Sequence, residues 1–201
     1  VYVTDALSVL DGLESPPVAI GHSMGGMVGQ RCLARRRLPG LALLASAPPH
    51  GLLESTMWLM WRDPFVFHRM SILAGFGREH VDPRGLHRAL FSPRVSMDEL
   101  RRWEPLLCDE SRRILMEMNM WNPLPPRPIG APPILVLGAE QDMLFPPDQV
   151  RATARFYGVE PEFFPKMGHA MMLEPDWENV AMRLEVWLAG ICEGEAPARR
   201  L

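Results

Sequence analysis

The chain has 201 residues, of which 47% are hydrophobic and 22% are charged, so it can bury one core and carry a small additional subdomain. A formal charge of -3 and a pI near 6.1 argue against nucleic acid or an anionic membrane as a partner. No apolar stretch approaches the roughly eighteen residues of a membrane span, and the first residues show no signal-peptide pattern. These features predict a cytoplasmic protein without a transmembrane segment, and they leave its oligomeric state open.

The three cysteines predict neither a disulfide framework nor a zinc site. Cys32, Cys108 and Cys192 are odd in number, widely spaced and form no Cys-x-x-Cys pair. We interpret them as buried apolar thiols.

The first informative stretch joins a predicted strand to a predicted helix through Gly-x-Ser-x-Gly. Apolar residues at helical spacing predict a first helix over residues 2–13, and residues 18–20 then form a short apolar run. This run enters Gly21-His22-Ser23-Met24-Gly25 without a spacer, and residues 27–37 are compatible with a helix. The pattern predicts a strand, a sharp turn and a helix.

A serine in such a turn stands clear of the backbone, where a base can activate its weakly nucleophilic hydroxyl. We expect Ser23 in a strained conformation, with Gly21 and Gly25 where strand and helix approach too closely for side chains. The N-terminal N–H groups of the helix would face negative charge that develops on a substrate oxygen. The alternative is a chance match in a glycine-rich turn.

Residues 50–127 are predicted to form a helical insertion, after a second buried strand over residues 41–45. Strand-like runs are absent from this region of the sequence, and Met and Trp are frequent. Their helical spacing fits ordinary core packing, whereas flexible thioethers and broad indoles would also suit an apolar substrate pocket. The candidate substrate-binding residues are Met57, Trp58, Trp61 and, beyond the insertion, Met143.

The second informative stretch places an aspartate and a histidine after later strands. A proline-rich linker, residues 123–133, leads to a predicted strand over 134–137, and Asp142 follows it closely. A helix over 147–157 and a strand over 160–164 precede the loop that carries Gly168 and His169. Because sites in open α/β sheets form at the carboxyl ends of strands, Asp142 can orient a histidine. A turn aspartate and a structurally satisfied loop histidine remain the alternatives.

Residues 177–188 predict a closing amphipathic helix, and residues 193–201 a flexible tail. His22 is expected to point away from the site on an alternating backbone. The remaining histidines show no metal-type spacing, so neither a metal nor a cofactor is predicted. These are His50, His68, His80 and His87.

The serine elbow, Asp142 after a strand and the Gly168-His169 pair, in that order, resemble the α/β-hydrolase fold family, in particular its serine esterase and lipase-like branch with a helical cap. The resemblance implies a mostly parallel sheet flanked by helices. It divides the chain into a core of residues 1–49 and 128–192, a cap of residues 50–127 and a tail of residues 193–201.

The resemblance also implies a role for each site residue. Ser23 would be the nucleophile, His169 the general base and acid, and Asp142 the group that fixes the histidine's tautomer. The backbone N–H of Met24 would donate to the oxyanion hole. Complete members have several strands before the elbow, and a loop there supplies the second donor. We therefore expect this chain, which lacks those strands and that donor, to be the C-terminal part of a longer protein.

The function implied is hydrolysis of a carboxylic ester, or a related acyl substrate, through an acyl-enzyme on Ser23. The expected partner is a small apolar acyl or ester molecule. One alternative is a carbon–carbon bond hydrolase or a cofactor-free perhydrolase of the haloperoxidase-like kind. The other is a non-catalytic ligand-binding member or an inactive fragment, because fold and triad do not set the substrate.

Overall fold

The computed structural model describes residues 2–77, 80, 82–106, 108, 111, 114, 117–118, 124 and 132–194. Within these residues, strands and helices follow one another in the order α1 (Tyr2–Asp11), β1 (Ala19–His22), α2 (Met24–Leu33), β2 (Leu41–Leu44), α3 (Leu53–Arg62), α4 (Pro64–Phe76), α5 (Pro83–Leu90), α6 (Met97–Trp103), β3 (Ile134–Ala139), α7 (Pro147–Tyr157), β4 (Pro161–Phe164) and α8 (Trp177–Cys192). Short 3-10 turns follow α6 at Glu104–Leu106 and precede α8 at Met171–Leu173. The proline-rich linker and the tail predicted from the sequence fall mostly outside the described residues.

The strands form one parallel sheet in the order β1-β2-β3-β4. Its register pairs Leu41 of β2 with Ala19 on one side and Ile134 on the other. β3 pairs with β4 through Val136 and Pro161. The predicted class, a parallel sheet flanked by helices, is confirmed.

Two layers of apolar side chains bury the sheet, because alternate residues of each strand point to opposite faces. Ala42 and Leu44 of β2 pack with Val180 and Trp187 of α8 on one face. Leu41 and Leu43 pack on the other face, together with residues of α2 and α7 that include Leu33, Val150, Ala154 and Tyr157. All four residues of β2 are buried, as the apolar run in the sequence predicts.

Helices α3 to α6 and the turn at Glu104–Leu106 form what we call the helical segment, which lies between β2 and β3 in the chain. Leu59 of α3, Val66 of α4 and Ala89 of α5 share one buried cluster. Leu86 and Phe91 join Leu100 of α6 and Ala170 in a second cluster. The second cluster therefore joins the helical segment to the residue that follows His169.

The structure corrects sequence expectations about two cysteines and about the bounds of two helices. Cys32 is buried, and burial raises the pKa of its thiol, but Cys108 and Cys192 are exposed. Cys192 is the last residue of α8, which extends beyond its predicted end into solvent. α2 begins at Met24 rather than at Met27, because the turn at Ser23 delivers the chain directly into helical conformation. Within the described ranges, no helix has both the length and the apolar character needed to cross a membrane.

Candidate active site

Ser23 occupies a one-residue elbow between β1 and α2, and its backbone is strained. Its φ of 54° and ψ of -121° lie outside the regions that a non-glycine residue normally adopts. Three hydrogen bonds hold this conformation: Ser23 N–H donates to the Leu44 carbonyl at 3.0 Å, and the Ser23 carbonyl accepts from Gly26 N at 3.1 Å and Ala47 N at 3.0 Å. The predicted strain at Ser23 is thereby confirmed.

Close approach at the elbow requires glycine at positions 21 and 26. A Cβ on Gly21 would lie 2.6 Å from the Gly25 carbonyl oxygen, and one on Gly26 would lie 2.1 Å from Ser46 Oγ. The prediction for Gly25 was wrong: a Cβ there meets no atom of the described residues within 4 Å, because the residue faces outward on the first turn of α2. Gly26, one position further, faces Ser46, which follows β2.

Asp142 and His169 form a buried hydrogen-bonded pair at the carboxyl ends of β3 and β4. The Nδ1–H of His169 donates to Asp142 Oδ2 at 2.9 Å, and the two side chains are 3% and 0% exposed. The other carboxylate oxygen accepts from the backbone N–H groups of Leu144 at 2.7 Å and Phe145 at 2.9 Å. Because Nδ1 carries the proton, the neutral ring presents an unprotonated Nε2, the atom that a general base requires.

His22 contacts His169, contrary to the expectation that its side chain points away. Its Nε2–H donates to the His169 carbonyl at 2.9 Å, and the two ring centroids are 4.8 Å apart. Burial, followed by repulsion from His169, lowers the pKa of His22 to about 4. His22 is therefore neutral near pH 7, and it holds the histidine loop against the residue that precedes Ser23.

His22 directly precedes Ser23, so its contact with His169 brings the loop of His169 next to the serine elbow. Within the described residues, no hydrogen bond joins the Ser23 hydroxyl to the imidazole. Such bonds are often long in unliganded sites and shorten when substrate binds. The ring of Phe145 covers His169 at a centroid distance of 5.4 Å, which excludes water from that side.

The start of α2 supplies N–H groups beside the serine. Met24 is the first residue of the helix, and the first N–H groups of an α-helix have no acceptor within the helix. The helix dipole adds partial positive charge at the same place. The Met24 N–H is thus located where an anionic oxygen bound to Ser23 could be stabilised.

Two of the four candidate substrate-binding residues line a cavity that Asp142 also borders. This cavity has a volume of about 690 Å³, and Trp58, Phe91 and Met143 contribute apolar walls to it. Arg62, Arg88 and Glu140 add charged groups. Trp61 and Met57 do not line it; they are 80% and 50% exposed.

A smaller cavity of about 300 Å³ lies between α1 and α2. Met24 and Met27 of α2 border it together with Tyr2 and Leu7 of α1. In the described part of the chain, no three His, Cys, Asp or Glu side chains are grouped in a way that could hold a metal ion.

A parallel sheet with a strained serine elbow after one strand, and a buried Asp–His pair after two later strands, defines a class: the α/β-hydrolase fold. The model of the alpha/beta hydrolase family matches residues 1–181. The chain belongs to this family. No curated protein has a significantly similar sequence.

Solved structures of the same fold cover 94% of this chain at low sequence identity. A putative non-heme bromoperoxidase, BpoC from Mycobacterium tuberculosis, is 20% identical with a TM-score of 0.71, and 73% of its own chain is covered. A thermophilic esterase from Thermogutta terrifontis is 20% identical with a TM-score of 0.68 and 70% covered. A monoacylglycerol lipase from Paleococcus ferrophilus is 18% identical with a TM-score of 0.60 and 74% covered. At these identities the likeness shows the fold alone.

Sequence reasoning missed Glu174, which is 1% exposed and hydrogen-bonded to the residue before His169. The available signal was its isolation: residues 167–173 between Lys166 and Glu174 carry no carboxylate, lysine or arginine. A lone carboxylate that follows an apolar run is a candidate for burial, and buried carboxylates require hydrogen-bond donors.

Proposed function

We propose that the chain is a serine hydrolase that cleaves carboxylic esters through an acyl-enzyme on Ser23. The observation that carries this proposal is the buried Asp142–His169 hydrogen bond beside a serine in a strained, positive-φ conformation. Such an elbow, a base with a fixed tautomer and a buried orienting carboxylate are what nucleophilic serine chemistry requires.

In the proposed reaction, His169 Nε2 accepts the Ser23 proton as Oγ attacks the ester carbonyl carbon. The carbonyl oxygen becomes an oxyanion near the Met24 N–H, and the imidazolium is stabilised by Asp142. Collapse breaks the bond to the alcohol, which leaves with the proton from His169. A water molecule then gives a proton to the same nitrogen as its oxygen attacks the acyl carbon. His169 returns that proton to Ser23 Oγ as the bond to the acyl group breaks, which releases the acid and restores the free enzyme.

A labelling experiment tests the nucleophile separately from the substrate. A fluorophosphonate probe should label the protein, and Ser23→Ala should abolish labelling. Ser8→Ala is the matched control, because Ser8 is exposed on α1 with its hydroxyl bound to the Thr4 carbonyl. Equal labelling of the Ser23→Ala variant and the parent would refute the assignment.

A panel of nitrophenyl esters from acetate to decanoate tests the reaction. We expect turnover by the parent and none above background by Ser23→Ala. Labelling by the probe without turnover of any ester would favour a ligand-binding role instead. Hydrogen peroxide in the same assay distinguishes a perhydrolase, because peroxide then competes with water for the acyl-enzyme and yields a peracid.

We further propose that residues 50–127 act as a cap over a core of residues 1–49 and 128–192, and that the 690 Å³ cavity receives the apolar part of the ester. Trp58→Ala and Met143→Ala should shift the preferred acyl chain length and change kcat/KM for the best ester about tenfold, since one methylene in an apolar pocket is worth about 1–3 kcal/mol. Trp61→Ala is the matched control, because that indole is exposed. An unchanged chain-length profile, with a lower melting temperature in the Trp58 variant, would assign Trp58 to packing.

A further inference from the structure

We propose that Glu174 is a positioning residue that fixes the loop of His169 to the helical segment, so that the placement of residues 90–92 sets the placement of the catalytic imidazole. This inference rests on the proposed role of His169 as general base. It concerns a carboxylate that touches neither the serine nor the orienting aspartate in the contacts of the described residues.

The carboxylate of Glu174 joins two segments that are far apart in sequence. Oε1 accepts from the backbone N–H of Gly168 at 3.0 Å and from that of Ser92 at 2.6 Å, and Oε2 accepts from the Ser92 hydroxyl at 2.6 Å. Gly168 directly precedes His169, and Ser92 follows α5. One side chain therefore fixes the spacing between the histidine loop and the helical segment.

A second link holds the other side of His169. The N–H of Ala170 donates to the Leu90 carbonyl at 2.8 Å. The space between the two segments is tight as well, because a Cβ on Gly168 would lie 2.6 Å from both the Phe91 carbonyl carbon and Ser92 N. Both neighbours of His169 in the chain are thus attached to residues 90–92.

Stability alone does not account for a carboxylate at this point. Glu174 is 1% exposed, and burying a carboxylate is unfavourable even when hydrogen bonds satisfy it. An apolar side chain of similar volume can stabilise a core as well. What the carboxylate adds is a defined geometry between the two segments, since its two oxygens accept three hydrogen bonds from donors at fixed positions.

The imidazole of His169 is consequently located by three groups with separate roles. Asp142 holds Nδ1, His22 holds the backbone carbonyl, and Glu174 holds the loop against the helical segment. Only the last of these contacts responds to movement of residues 90–92. A displacement of about 1 Å at a catalytic group can lower the rate about a hundredfold, so a small shift of these residues is sufficient to change turnover.

The test compares Glu174→Ala, Glu174→Gln and Asp176→Asn in the whole chain. Glu174→Ala should lower kcat about 10- to 100-fold with KM changed less than about threefold. Glu174→Gln should restore most of kcat, because its carbonyl oxygen can accept from both N–H groups while its NH2 donates to Ser92 Oγ. Asp176→Asn is the matched control: it removes the negative charge that pairs with Arg94 at the surface between the same segments and should leave kcat unchanged.

A second measurement does not depend on ester turnover. The downfield NMR signal of the His169 Nδ1 proton should be present in the parent, in Glu174→Gln and in Asp176→Asn, and should be lost in Glu174→Ala. If the parent hydrolyses no ester, the proposed function fails while this signal still decides the role of Glu174. If Glu174→Ala keeps both the signal and kcat and only melts earlier, the positioning role is overturned. If Glu174→Ala does not fold, Ser92→Ala removes one of the three donors, and an unchanged signal and kcat in that variant overturn the proposal.

Discussion

At the residue scale, the carboxamide variant of Asp142 is the sharpest test of the Asp–His pair. The oxygen of the introduced carboxamide would keep the two backbone N–H donors of Leu144 and Phe145, so its NH2 would face His169 Nδ1. The imidazole must then accept at Nδ1 and carry its proton on Nε2, where it cannot act as a base. We expect Asp142→Asn to lower kcat about a thousandfold or more with little loss of stability.

Ester turnover measures the loss of kcat in Asp142→Asn, and thermal melting measures any loss of stability. Asp148→Asn is the control, because that side chain is 92% exposed and pairs only with Arg151 on its own helix among the contacts described. Retention of full kcat by Asp142→Asn would remove Asp142 from the mechanism.

The buried imidazole of His22 should make the stability of the folded chain depend on pH. Its pKa is about 4 in the folded chain and about 6.5 in the unfolded chain, so the unfolded state binds the proton first as the pH falls. The stabilisation by neutral His22 is complete above about pH 6.5 and is lost between pH 6.5 and 4. It amounts to at most roughly 3 kcal/mol.

Urea unfolding of the parent and of His22→Gln at several pH values measures this effect. Glutamine has no titrating group, so the difference in unfolding free energy between the two proteins should change across this window. His68→Gln, on an exposed residue of α4, serves as the control and should follow the parent. Parallel curves for His22→Gln and the parent would contradict the burial of a neutral imidazole.

Local pattern predicted the residues of the candidate site, but not all of their contacts. Ser23, Asp142 and His169 each follow a strand-like run, and this signal is readable within a few residues. The His22–His169 contact joins positions 147 residues apart. Alternation along β1 could not reveal it, because the strand ends at His22 and the chain turns at the next residue.

At the scale of elements, neighbouring glycines at the start of α2 should respond differently to alanine. A Cβ on Gly26 meets Ser46 Oγ at 2.1 Å and Ser46 Cβ at 2.5 Å. Ser46 cannot move easily, since it is buried and accepts from Gln30 Nε2 at 3.0 Å. We expect Gly26→Ala to destabilise the fold by about 1–3 kcal/mol.

Gly25→Ala is the internal comparison for this experiment. Its Cβ would face open space among the described residues, and alanine favours a helix over glycine by about 1 kcal/mol. Denaturant unfolding should therefore place Gly25→Ala at or above the stability of the parent and Gly26→Ala well below it. The reverse order would mean that α2 packs on β2 with a different face.

The elements themselves were largely predictable, whereas their exposed faces were not. The apolar runs before Ser23 and Asp142 indicated β1 and β3, and α7 begins and ends where its pattern predicted. In α3, however, helical spacing did not separate Trp58, which borders the cavity, from Trp61, which is exposed. The two indoles are three positions apart and are neighbours on the helix surface, so which of them borders the cavity depends on the packing around α3, which the local sequence does not encode.

At the scale of the whole molecule, the open edge of the sheet predicts self-association. In the described part of the chain, β1 pairs only with β2, and Ile20 on this edge strand is 50% exposed. Unpaired backbone groups along an apolar strand are a template for pairing with another chain. We expect the 201-residue chain alone to associate in a concentration-dependent way.

Light scattering coupled to size-exclusion chromatography measures this association. Ile20→Lys should reduce it, because a charged edge strand disfavours pairing with a second strand. Val9→Lys adds the same charge on α1, where the side chain is 66% exposed, and should have little effect. A monomeric parent at every concentration would show that the edge is not a pairing surface.

The pairing of β2 with β3 also determines how the chain must fold and how freely it can vary. Leu41 to Leu44 hydrogen-bond to residues that lie roughly 90 positions later, so the centre of the sheet closes a long loop. Such nonlocal pairing slows folding, and we expect the two halves of the sheet to assemble late. Yet the entropy of closure rises only logarithmically, by about 0.6 kcal/mol for each doubling of the loop. The region between β2 and β3 can therefore lengthen or shorten at a small cost in closure entropy, provided that residues 90–92 keep their contacts with the loop of His169.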